Sequence, residues 1–181
     1  MRKRFFLMAT LLAAALAACS PEQNWRQIAF EGTTLKAQLP CKPDRTVRAV
    51  NMASQSLELA VAGCEADGAV WALMSATVNS SVNREELFKG WRQATLQNMR
   101  AQEVADVPFA SKAQAVLPGA IRLKAQGLDP QGQGVTAHAI WFAYPDSDQI
   151  RLVHAVVYQN SNKRNQSQQS ADQFLESITR P

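Results

Sequence analysis

The sequence predicts an α+β fold in which an antiparallel β-sheet carries helices on both faces, an α/β/α sandwich, after an N-terminal signal peptide. Three observations lead there. Strand-like runs at 120–128, 135–144 and 149–158 are joined by connections too short for a parallel crossover, so they form an antiparallel meander. Val70-Trp71-Ala72-Leu73-Met74, Ile140-Trp141-Phe142 and Val153 to Val157 are apolar on both faces and need cover on both sides of a sheet. Two amphipathic segments, 83–102 and the run from Ser170 onward, supply that cover.

The first element is a targeting segment. Arg2, Lys3 and Arg4 precede an apolar run from Phe5 to Ala18 broken only by Thr10. As a helix that run spans roughly 21 Å, short of the ~30 Å hydrocarbon core, which fits a signal peptide and not a membrane span. It ends in Leu16-Ala17-Ala18-Cys19, which resembles the lipobox of bacterial lipoproteins. The resemblance implies cleavage before Cys19, a diacylglycerol on its thiol and an acyl group on its new amine. Each buried methylene contributes roughly 0.8 kcal/mol, so several chains anchor stably where one would not. Ser20 stands where aspartate is associated with inner-membrane retention in well-studied Gram-negative bacteria. The implied destination is the periplasmic face of the outer membrane, with the inner membrane as the other choice. The chain thus divides into a signal peptide (1–18), lipidated Cys19 with a short tether (19–24), and a single α+β domain (25–181). From Cys19 to Trp25 the tether reaches at most ~20 Å, which keeps that domain near the bilayer.

Composition agrees with one domain. A chain of 181 residues that is 46% hydrophobic is neither wholly disordered nor long enough for two comfortable domains. With 8 Gly, 8 Pro and 3 Cys it is neither collagen-like nor a disulfide scaffold. Three of its 19 basic residues lie in the targeting segment, which leaves 16 against 15 acidic ones. A near-neutral mature chain gives no footing for nucleic-acid binding. Lipidation consumes Cys19, so Cys41 and Cys64 have only each other to pair with in an oxidising compartment. A disulfide there would contribute about 3.4 kcal/mol through chain entropy; two free thiols are the alternative.

The remaining elements follow in order. Runs 25–30 and 33–39 alternate as strands about a turn at Gly32, and Pro40-Cys41-Lys42-Pro43 breaks the pattern. Further strands are expected at 46–52, 57–63 and 70–78, with Glu65-Ala66-Asp67-Gly68 as a hairpin loop between the last two. The two-sided strand at 70–78 belongs inside the sheet. Asn83 with Glu86 resembles a capping box opening the 83–102 helix, whose Leu87, Phe88, Trp91, Thr95, Leu96 and Met99 share a face. Residues 113–117 form a short strand before Pro118-Gly119, and the meander follows. Gln159 to Gln169 reads as a solvated loop, and Ser170 with Gln173 caps the final helix, which buries Phe174, Leu175 and Ile178.

A second resemblance rests on this order. Leu39-Pro40 to Pro43, the mid-chain helix, Gly119-Ala120-Ile121 opening a basic strand, the meander and the closing Phe174-Leu175-x-Ser177-Ile178 helix are together similar to small exported bacterial proteins of the PsbP-like fold. That fold also includes a nuclear import factor that binds a small GTPase. The resemblance implies an accessory or assembly role, and it assigns no functional residue.

The chemistry-bearing residues are few. Gly132-Gln133-Gly134-Val135-Thr136-Ala137 fits the dinucleotide fingerprint, yet a strand follows it where that chemistry needs a helix N-terminus, so it is read as a hairpin turn. If residues 144 and 149 pair, His138 and His154 point to opposite faces of the sheet; a slipped register would bring them together, still without a third metal ligand. Glu85 and Glu86 sit in a first helical turn, where the helix dipole accounts for them. Trp25, Trp71, Trp91 and Trp141 are core residues or the wall of a groove. Arg122 and Lys124 share a sheet face or edge, as a guard against aggregation or as a partner-binding patch. No catalytic, cofactor-binding or metal-ligating residue is assigned, so no cofactor is expected. The expected function is a membrane-anchored, non-catalytic protein-interaction or assembly module. A carrier of a small molecule or lipid is the alternative, which a sizeable apolar cavity under the mid-chain helix would favour.

Overall fold

The computed structural model describes residues 23–52, 55–109, 112–113, 115–161 and 168–180. The signal peptide, Cys19 and positions 162–167 of the expected loop lie outside the described residues. Two short strands, β1 (Arg26–Ala29) and β2 (Lys36–Leu39), form a separate antiparallel hairpin. Seven others form one sheet: β3 (Asp44–Met52), β4 (Gln55–Ala66), β5 (Ala69–Asn79), β6 (Glu103–Asp106), β7 (Ile121–Leu128), β8 (Gly134–Asp146) and β9 (Gln149–Asn160). Its order is β3-β4-β5-β9-β8-β7-β6, antiparallel throughout. The helices among the described residues are α1 (Arg84–Asn98) and α2 (Gln168–Glu176).

The α/β/α sandwich, and with it the PsbP-like architecture, is corrected by this arrangement. Strands take 53% of the described residues and helices 16%, so the fold is mostly β. Each face of the sheet meets one helix, which does not amount to a helical layer. On one face Trp71, Leu73, Phe142 and Val153 pack under the β1–β2 hairpin (Ile28, Phe30, Leu35, Leu39) as much as under α2 (Phe174, Leu175). On the other, Leu152, Trp141 and Val156 pack with Leu87, Phe88 and Trp91 of α1. The sequence patterns overstated the helices because twisted antiparallel strands and a hairpin can cover apolar residues as well as a helix can.

Several boundaries move for local reasons. Helix α1 opens as expected, with the Asn83 side chain accepting the Glu86 N–H at 3.3 Å. It ends at Asn98 and not at 102, because Arg100 adopts φ +46 and turns the chain out of the helix. The Arg100 N–H donates to the Gln97 carbonyl and the Ala101 N–H to the Leu96 carbonyl, which is the Schellman pattern with arginine at the left-handed position. The chain then forms β6, an edge strand exposed at all four positions and so without an apolar alternation to announce it. Residues 115–117 are not a strand, although the Leu117 N–H donates to the Ala143 carbonyl. Ser170 lies inside α2, which begins two residues earlier. Gly127 of β7 passes so close to the end of α1 that a side chain there would meet the Met99 carbonyl oxygen.

Cys41 and Cys64 form a disulfide with Cα atoms 6.0 Å apart. It ties the β2–β3 connection to β4, and so fastens the hairpin to the sheet it covers.

Candidate functional site

The histidines diverge. Tyr144 pairs with Arg151, two residues from the assumed register, so the parity holds and the rings project to opposite faces. His154 sits opposite Trp141, with the rings stacked at 4.3 Å and 5°, and the edge of Trp91 approaches at 5.1 Å. Its Nδ1 lies 3.0 Å from the Ile140 carbonyl oxygen, which can only accept, so Nδ1 carries the proton of the neutral ring. Complete burial holds its pKa down at about 4. At neutral pH it is an uncharged part of the core.

His138 lies on the hairpin face beside Lys124, its cross-strand partner. Burial, and then the charge of Lys124, push its pKa below the usual imidazole value. The basic pair on β7 serves α2. Arg122, only 8% exposed, reaches Asp172 at 2.6 Å and Glu176 at 3.6 Å, and Lys124 donates to Gln168 at 3.3 Å. These are neither edge guards nor a free patch, because β6 continues the sheet beyond β7 and α2 covers their face. Among the described residues no group of three or more His, Cys, Asp or Glu is placed to hold a metal ion. Glu85 and Glu86 occupy the first turn of α1.

The glycine-rich run is a hairpin turn. The Gly132 N–H donates to the Asp129 carbonyl, the Asp129 carboxylate accepts the Gln133 N–H, and β8 follows directly. Trp71, Trp91 and Trp141 are buried, and half-buried Trp25 packs edge-on against Trp71 at 5.6 Å.

Two surface features are left as candidates. One is β3, an edge strand of nine residues, seven of them exposed, with Val47 62% accessible. Of its arginines, Arg45 is engaged with the Ala29 carbonyl at 2.9 Å and with Glu31 at 3.9 Å. The other is a cavity of about 370 Å³ at one end of the sheet. Val70, Met99, Leu128, Pro130, Val135 and Tyr158 make most of its wall, with Asn98, Asp129, Gln131 and Asn160 among its polar groups. Burial raises the Tyr158 phenol above its usual pKa, so it stays neutral. The cavity adjoins the C-terminal end of α1 and is not the space beneath the helix. No single run of sequence signals it, because four separated segments converge to build it.

No helix among the described residues is long and apolar enough to cross a membrane. No protein-family model matches the chain, and no curated protein is similar to it in sequence.

Proposed function

We propose that this chain is a bacterial lipoprotein anchored through Cys19 at the periplasmic face of the outer membrane, and that its folded part binds another protein without catalysing a reaction. The observation that supports this reading best is β3. Its nine residues, seven of them exposed, offer an edge about 30 Å long to which a partner's extended segment can add as a further strand. The opposite edge, β6, has only four residues. His154 is buried and neutral, and Arg122 and Lys124 contact α2.

The experiment uses a strain in which deletion has a phenotype. Val47→Asp combined with Arg48→Glu on β3 should reproduce the deletion while leaving protein level and thermal unfolding unchanged. Single replacements of His138, His154 and the acidic residues of the mature chain should act only where they impair folding. Loss of function at two or three clustered residues, with folding and partner binding intact, would overturn the reading in favour of an active site. A second reading, carriage of a small apolar ligand, is favoured by the cavity.

A further inference from the structure

The cavity and the start of the described chain share one end of the sheet. Gly68 and Val70 of the β4–β5 hairpin line the cavity, and the same wall includes the β7–β8 turn, the start of β8 and the end of β9. Asp67, in that hairpin turn, lies 3.5 Å from the side-chain amide of Gln23. The Asn24 N–H donates to the Pro40 carbonyl at 2.7 Å, which fixes where the chain enters. Three residues separate Gln23 from Cys19, four Cα–Cα steps with a reach of at most ~14 Å. A lipid anchor at Cys19 therefore holds this end of the sheet against the bilayer.

The lining says what could enter. About 370 Å³ lies in the range of small-ligand sites, roughly 300–1,000 Å³, and toward its lower end. The wall is mostly apolar, with a half-buried, neutral phenol at Tyr158. No lysine, arginine or histidine contributes to it, and one oxygen of its carboxylate, Asp129, already accepts the Gln133 N–H. Such a wall favours a hydrocarbon chain over an anionic headgroup, for which it offers no cation.

We propose that the cavity takes one acyl chain of a bilayer phospholipid, drawn from the membrane to which the protein is tethered. Its orientation toward the bilayer rests on the lipid-anchor reading; its preference for a hydrocarbon chain does not. Val70, 41% exposed at the cavity, is the residue whose enlargement fills the space with least disturbance of the core.

The test incorporates the full mature chain into vesicles of phosphatidylethanolamine and phosphatidylglycerol containing a phosphatidylethanolamine with a diazirine midway along one acyl chain. Illumination should attach the lipid to peptides bearing Val70, Met99 or residues 128–135. Val70→Trp and Gln131→Trp, on different segments of the wall, should each lower that labelling at least tenfold without changing thermal unfolding or vesicle recovery. Labelling that ignores both substitutions, or falls elsewhere, would overturn the proposal. In a second arm, cells are fed a diazirine palmitate, which enters both phospholipid and any acyl groups on Cys19. A cross-link between the Cys19 peptide and the cavity peptides would assign the cavity to the protein's own anchor and would also overturn it. The mass of the Cys19 peptide reads acylation separately, so an unlipidated Cys19 defeats the anchor reading while the vesicle labelling still decides the cavity.

Discussion

The imidazole of His154 lies between two tryptophans and donates its one proton to a carbonyl, so ionising it in the fold would place an unsolvated charge in the core. Unfolded, the same ring protonates near pH 6.5; folded, it resists until about 4. Between those values the unfolded chain binds the extra proton, so this contribution is full above about pH 6.5 and is lost as pH falls through the window. The loss approaches about 3 kcal/mol. Urea unfolding of His154→Phe should show a correspondingly flatter profile from pH 7 to pH 4, and parallel profiles for the two proteins would contradict the assignment. Arg100 offers a change of the opposite sign. Its left-handed φ is where glycine is least strained, so Arg100→Gly should stabilise by about 0.5–1 kcal/mol, less whatever its bond to the Asp129 carbonyl contributes. The midpoint of urea unfolding reads this directly.

At the scale of elements, two connections decide what the sheet can present. The Cys41–Cys64 bond holds the β1–β2 hairpin over its face, and replacing both cysteines with alanine should cost about 3 kcal/mol, checked by denaturant unfolding. Helix α2 is held by Phe174 and Leu175 beneath it and by the Arg122–Asp172 pair at its flank. Asp172→Ala leaves a nearly buried guanidinium with only the longer contact to Glu176, and should cost about 1–2 kcal/mol; Glu176→Ala, losing an exposed partner, should cost about 0.5 kcal/mol or less. These elements were legible to different degrees. The meander was readable because Pro145-Asp146-Ser147-Asp148 and the turn before β8 punctuate long apolar runs, and α1 because Asn83 and the Leu87-Phe88-Trp91 stripe declare it. Strand β6 was not, since four exposed residues carry no pattern. Nor was the partnership of Arg122 with α2, because residues fifty apart show no periodicity that joins them. The fold class was not legible for a related reason: two-sided strands announce that cover is needed without saying whether a helix or a hairpin supplies it.

At the scale of the whole molecule, the sheet has two unequal edges and a cavity at the end where the described chain begins. Cys19→Ala should abolish labelled-palmitate incorporation and release the protein from the membrane fraction; unchanged labelling would end the lipoprotein reading and the orientation that depends on it. Neither feature could be read from local sequence, since the cavity needs four segments brought together and an edge is defined by what fails to pair with it. The proposed function stands or falls on binding along β3. The most direct measurement places a photo-cross-linking amino acid at Val47 of the full chain in cells, with Val104 on the short edge strand as the control. A single discrete adduct from Val47, absent from Val104 and lost in the presence of Arg48→Glu, is the result the account requires. Equal or absent cross-linking at the two positions, in cells where the protein is functional, would contradict it.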